Sequence, residues 1–176
     1  MLELSLANAI GVIALTMTAV ALTRTSNHGL LLTLGAAVSL WAIHYGLLGS
    51  VSGFAVHVVA ATSLFVAHWT QSATTGKRAL MGLSFSALGV TVTWHFGTGL
   101  ADVLAAVGCV IITMTQFNGN GNTLRIGFMT GELVLFGFAL LVGSLPGMIV
   151  TAGNFGAGAI GLYRRHRAAK PCALTT

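Results

Sequence analysis

The chain has 176 residues, of which 55% are hydrophobic and only 6% are charged, and its mean hydropathy is +0.89. A soluble domain carries about 25% charged residues, so this composition predicts an integral membrane protein and leaves no room for a soluble catalytic domain. The eight basic residues are scattered at the ends of apolar runs, where they meet lipid headgroups, so the net charge of +5 does not indicate nucleic-acid binding.

Seven apolar segments follow one another, each close to the roughly 20 residues that a helix needs to cross the bilayer. They are too long and too evenly apolar for barrel strands, and lipid leaves no backbone group unpaired, so the fold class is an all-α polytopic membrane protein. In chain order the predicted spans are residues 3–23, 30–48, 51–70, 79–96, 100–117, 127–143 and 146–163.

The basic residues predict the orientation of the chain. All of them fall on one side of seven alternating spans: Arg24, Lys77, Arg78, Arg125, Arg164, Arg165, Arg167 and Lys170. Cytoplasmic loops retain Lys and Arg, so we expect the N-terminus outside and the C-terminus in the cytoplasm.

An internal repeat appears when the chain is shifted by 97 residues, because half of the positions in 9–18 then match those in 106–115. The repeat predicts four parts: a three-helix unit in 1–72, a linker helix in 73–98, a second three-helix unit in 99–167, and a disordered cytoplasmic tail in 168–176. Two parallel repeats of this kind place a substrate site between them, near the middle of the membrane.

Trp41 and His57 stand sixteen residues apart in spans 2 and 3, and their repeat partners Phe138 and Asn154 have the same separation. This arrangement of three, one and three helices resembles the SWEET sugar transporters and their PQ-loop relatives, in which an aromatic residue and an asparagine line the sugar site at a similar spacing. The resemblance implies that these four residues line a central substrate site. The chain departs from that family by lacking the Pro-Gln pair and the prolines of spans 1 and 5, and by having His57 in place of an asparagine.

Three further stretches, residues 7–14, 43–49 and 154–164, resemble the YgjV family of bacterial inner membrane proteins. That resemblance extends over nearly the whole chain and implies a multi-pass protein of the bacterial inner membrane. It implies no particular biochemical role.

Polar groups at membrane depth are candidate functional residues, because they are costly there. For His57 and Asn154 the alternatives are binding a solute or packing against a neighbouring helix. His44 and Tyr45 suit either an outer gate or an anchor at the interface. Glu132, expected about one turn into span 6, either extends to the interface, pairs with Arg125, or faces the cavity and couples protons.

These features predict a small-solute transporter or facilitator whose partners are a small polar solute and membrane lipid. No nucleophile–base pair or metal-ligand motif is present in the sequence, so we expect no enzyme activity, no cofactor and no metal site. Glycine-rich faces permit a homodimer without demanding one. The alternative is a membrane scaffold or accessory subunit that binds a partner protein, lipid or haem, the last through histidine pairs such as His44 and His95.

Overall fold

The computed structural model describes residues 2–49, 51–96, 99–141 and 145–168. Within these ranges the chain forms seven α-helices and no strand, which confirms the predicted all-α class. The helices are α1 (Leu2–Thr23), α2 (Asn27–Leu47), α3 (Val51–Trp69), α4 (Thr75–Phe96), α5 (Leu100–Asn118), α6 (Gly121–Leu141) and α7 (Leu145–Ala168).

Three helices extend beyond their predicted spans by four residues or more. α6 begins at Gly121 and α4 at Thr75, earlier than the predicted 127 and 79, and α7 continues to Ala168, beyond the predicted 163. The additional turns carry basic and polar residues, which an apolar pattern leaves out although they are helical at the membrane surface. Ala168 therefore belongs to a helix, and the remainder of the predicted tail, 169–176, lies outside the described residues.

Four of the described helices, α1, α2, α5 and α6, are long and apolar enough to cross a membrane. α3 has a shorter apolar stretch, Gly53–Trp69. Trp69 and Trp94 lie near helix ends and are 73% and 80% exposed, as expected for aromatic residues at membrane interfaces. These features support a polytopic membrane protein.

Each helix packs against its neighbours in the chain, and α7 returns to pack against α1. α4 packs mainly against α5 and less against α3.

Glycine makes the closest approaches possible: a Cβ on Gly161 of α7 would lie 2.1 Å from the carbonyl oxygen of Leu22 in α1. On α6, a Cβ on Gly131 would lie 2.3 Å from the Ile112 side chain of α5. Small residues at these positions allow helices to pack tightly in lipid.

We call the basic end of the bundle the end at which α1, α3, α5 and α7 finish and α2, α4 and α6 start. The large buried side chains of the described residues lie in the half nearer this end, where one cluster contains Leu30, Leu31, Leu34, Leu64, Phe117, Leu124 and Phe128. From the middle of the bundle to the opposite end, the buried apolar residues are alanines, namely Ala7, Ala14, Ala37, Ala42, Ala61, Ala139 and Ala157. Among the described residues, the fully buried bulky side chains therefore lie at one end of the bundle.

Arg125 joins α6 to the connection between α1 and α2. Its Nη1 donates to the side-chain oxygen of Asn27 at 3.2 Å and to the Gly121 carbonyl at 2.8 Å. Its Nη2 donates to the carbonyls of Arg24 at 2.6 Å and Thr25 at 2.9 Å. The side chain is only 1% exposed.

The other basic groups lie at the same end. Arg165 of α7 donates to the Thr25 carbonyl at 2.9 Å, and Arg78 at the start of α4 donates to the Phe117 carbonyl at the end of α5. These bonds, together with those of Arg125, bring the predicted basic clusters to one end of the bundle.

Candidate functional site

A cluster of rings lies between α2 and α3, towards the end of the bundle opposite the basic end. Tyr45 and His57 have ring centroids 4.7 Å apart, and Trp41 lies 6.5 Å from His57. His44 contacts Trp41 edge-on at 5.4 Å and Tyr45 at 5.2 Å. The spacing of three and four residues along α2 places these side chains on one face of the helix. We call these four residues the α2–α3 aromatic cluster.

Hydrogen bonds fix the polar atoms of this cluster. His44 Nδ1 donates to the Ala7 carbonyl of α1 at 2.7 Å, and His57 Nδ1 donates to the Gly53 carbonyl of its own helix at 2.8 Å. A carbonyl oxygen only accepts, so each ring carries a proton on Nδ1, and in the neutral tautomer Nε2 is then an acceptor. His44 therefore packs against a neighbouring helix through a hydrogen bond, whereas the bond of His57 Nδ1 stays within α3.

A second polar pair joins α6 to α7. Asn154 Nδ2 donates to Glu132 Oε1 at 3.1 Å. Asn154 is 7% exposed, and within the described parts of the chain its buried Oδ1 has no hydrogen-bond partner. Unsatisfied buried acceptors of this kind are uncommon and indicate an unused binding capacity.

The position of Glu132 corrects the expectation from sequence. Because α6 begins at Gly121, Glu132 lies eleven residues into the helix, near its middle, and not one turn from its end. It is bonded to Asn154, while Arg125 is engaged with the carbonyls of the α1–α2 connection. The predicted pairing of Glu132 with Arg125 is therefore wrong.

A cavity of about 220 Å³ lies beside this pair. α6 and α7 contribute three residues each to its wall, in the same spacing of i, i+1 and i+4: Glu132, Leu133, Phe136, Thr151, Ala152 and Phe155. Sequence reasoning missed Phe136 and Phe155. Phe136 follows Glu132 by four residues, which is one helical turn, whereas Phe155 lies twenty-three residues after Glu132, on the next helix. We call this space the α6–α7 cavity.

The predicted site residues fall into two groups in the structure. Trp41 and His57 are neighbours on α2 and α3, and Asn154 lies on α7 with Glu132 beside it. Phe138 is half-buried on α6. Among the described residues, no hydrogen bond or ring contact joins the first group to the second. A single central site that contains all four predicted residues stays a prediction.

A second cavity, of about 330 Å³, lies at the basic end and is lined by Asn120, Gly121, Asn122, Thr123, Arg165 and His166. In the described ranges no group of three His, Cys, Asp or Glu side chains is placed to hold a metal ion.

A comparison with known families identifies the chain. The model of the family Imp-YgjV, described as bacterial inner membrane protein, matches residues 5–169. The chain belongs to the YgjV family. The predicted resemblance to that family is thereby confirmed, and so is the bacterial inner membrane as its location. No curated protein and no solved structure matches the chain.

Proposed function

We propose that this YgjV-family protein is a small-solute transporter or facilitator built from two parallel three-helix units. The first unit is α1–α3, the second is α5–α7, and α4 links them. In this division, the two copies of the internal sequence repeat are related by a pseudo-two-fold axis along the membrane normal. In this proposal the solute crosses the membrane without chemical change, so the protein is not proposed to be an enzyme.

Contacts between the two units support this division. A shift of 97 residues exchanges α1 with α5 and α3 with α7, so the contact of α1 with α7 and the contact of α3 with α5 are equivalent. The α3–α5 contact includes a buried hydrogen bond from Gln116 to Ser63 at 2.5 Å. Two corresponding contacts are what a pair of repeated units facing each other would make, although α1 packs against α7 much more extensively than α3 packs against α5.

The distribution of bulky side chains is the observation that carries the proposal. The cluster at the basic end draws Leu30, Leu34 and Leu64 from the first unit, and Phe117 and Phe128 from the second. Towards the opposite end the buried apolar residues of the described ranges are alanines, the rings of the α2–α3 aromatic cluster are half-buried, and polar side chains lie at depth. A transporter closed at one end would have this asymmetry, because alternating access requires one end to be sealed while the other admits solute.

The proposed orientation follows from the same feature. If the basic end faces the cytoplasm, the N-terminus lies outside, and the structure is closed on the cytoplasmic side. His44 and Tyr45 then lie near the outer surface, where we propose that they gate the site.

The solute would be a small polar molecule with hydrogen-bond donors. His57 Nε2 and Asn154 Oδ1 are both acceptors, and Trp41 and Phe138 would pack against the less polar faces of the solute. Glu132 would couple protons or modulate binding through its bond to Asn154.

A thermal-stability screen of the purified protein tests this proposal. The ligands are sugars, polyols, nucleosides, vitamins and amino acids, and the comparison variant is the double substitution His57→Ala, Asn154→Ala. We expect at least one ligand to raise the unfolding temperature of the wild type and not that of the double variant. At a ligand concentration of 100 times Kd the stabilisation would be about 2.7 kcal/mol.

The matched control is His95→Ala, Asn118→Ala, which removes the same two residue types at exposed positions elsewhere. This variant should respond to the ligand as the wild type does. No shift for any ligand, with the site variant as stable as its parent, would contradict the transporter and favour a scaffold that binds a partner protein or lipid.

A further inference from the structure

We propose that the α6–α7 cavity is a binding site for a lipophilic organic cation, with Glu132 as its counter-ion. This site shares Glu132, and its bond to Asn154, with the proposed central site, but cation binding does not require that the protein transports a solute. The proposal rests on the depth of the cavity, the charge of Glu132 and the chemistry of the cavity wall.

The cavity lies beside the middle of α6 and has exposed apolar side chains at its rim. Glu132 lies eleven residues from the start of α6, which corresponds to about 16 Å along the helix at 1.5 Å per residue. At the cavity rim, Leu133 is 62% exposed and Phe155 is 41% exposed. Exposed apolar side chains on a membrane-spanning helix face lipid, so a ligand reaches Glu132 sideways from the bilayer.

Glu132 is the acidic group of this cavity, and its ionised form would need a cation beside it. Its Oε1 accepts from Asn154, while its Oε2 makes no hydrogen bond in the described parts of the chain, and the side chain lines the cavity. No Lys or Arg of the described residues pairs with it. An uncompensated carboxylate in the middle of a membrane is costly, and an entering cation would remove that cost.

The rest of the wall suits the apolar part of such a ligand. Phe136 and Phe155 contribute aromatic rings, which attract cations over their faces and pack against apolar groups. A volume of about 220 Å³ is below the roughly 300 Å³ at which sites for drug-sized molecules begin. The expected ligand is therefore a single-ring or short-chain ammonium ion.

Other occupants fit this cavity less well. A lipid tail would fill the apolar part and leave the carboxylate unpaired. A second copy of the chain has no cation to offer at this depth, because the Lys and Arg side chains of the described ranges all lie at the basic end. An anion would be repelled by Glu132, so charge complementarity selects a cation.

The test is calorimetric titration of the full-length protein in nanodiscs of phosphatidylcholine. The probe is benzyltrimethylammonium, and its neutral isostere neopentylbenzene has the same shape without the charge. We expect the cation to bind the wild type with one site per chain. Glu132→Gln keeps the size of the side chain and removes its charge, so it should weaken binding by at least tenfold. The neutral isostere should not displace the cation.

Two control variants show whether cation binding is specific to the α6–α7 cavity. Asp102→Asn makes the same chemical change at the start of α5, and it should bind the cation as the wild type does. His57→Ala removes a residue of the proposed central site and should also leave the cation affinity unchanged. The proposal is overturned if the wild type fails to bind the cation, if Glu132→Gln binds within twofold of the wild type, or if Asp102→Asn weakens binding equally.

Discussion

Arg125 is the residue on which the basic end depends. Buried charges are costly unless their donors find acceptors, and the two Nη groups of Arg125 bond to four oxygens, while among the described residues its Nε has no partner. Two of those oxygens, the carbonyls of Arg24 and Thr25, follow the end of α1, where the helix dipole is negative. A planar guanidinium reaches several acceptors at once, which a lysine ammonium does not do as well.

Arg125→Ala should therefore destabilise the protein. The substitution leaves the carbonyls of the α1–α2 connection without their donor, and we expect a loss of about 3 kcal/mol in the free energy of unfolding. Reversible unfolding in SDS measures this loss. Arg164→Ala removes an exposed arginine at the end of α7 and should change the free energy by less than about 0.5 kcal/mol. Equal losses for the two variants would contradict the structural role of Arg125.

Sequence reasoning placed Arg125 correctly on the side of the other basic residues and missed its burial. A charge count treats every arginine as a solvated group at the membrane surface. Only the fold brings Asn27 and the α1–α2 connection, about a hundred residues away in the chain, to the guanidinium.

At the scale of helices, α7 lies very close to α1. Among the described glycines, Gly161 of α7 makes the closest approach to a backbone atom of another residue. Gly161 lies directly against the Leu22 carbonyl, so that a Cβ would be only 2.1 Å from that oxygen. The distance is shorter than any non-bonded contact, and the two helices have to move apart to accept even a methyl group.

Gly161→Ala should destabilise the bundle by about 1 to 3 kcal/mol, because the added methyl forces α7 away from α1. The same substitution at Gly156, also on α7, meets nothing within 4 Å. Gly156→Ala should be neutral or stabilising by up to about 1 kcal/mol, since alanine favours the helix more than glycine does. Thermal unfolding of the two variants in one detergent compares them directly, and the opposite ranking would be evidence against the α1–α7 contact.

At the scale of helices the apolar pattern predicted the number, order and most of the limits of the described elements. It was wrong at the polar ends of α4, α6 and α7, because hydropathy records the preference for lipid and not the capacity to form a helix. Because α6 starts early, Glu132 lies near the middle of the helix and not one turn from its end. The α6–α7 cavity also depends on which faces of the two helices meet, and this cannot be predicted from the hydropathy of either segment alone.

For the whole molecule, the testable property is its orientation in the inner membrane. In a background with Cys109→Ser and Cys172→Ser, the variants Leu48→Cys and Ser72→Cys place single thiols at opposite ends of the bundle. A membrane-impermeant maleimide should label Leu48→Cys in intact spheroplasts and Ser72→Cys only after lysis, because we expect the basic end to lie in the cytoplasm. The reverse labelling pattern would show that the N-terminus is inside.

The packing of α7 against α1 also has a consequence for the synthesis of the protein. The other large helix contacts join neighbours in the chain, so they can form one after another as each helix leaves the ribosome and enters the membrane. α1 enters the membrane before α7, yet the face that carries Leu22 has to wait for α7. Until α7 has entered the membrane, that face lies open to lipid and to any chaperone or membrane protease, which could use it to distinguish a chain with α7 from one without it.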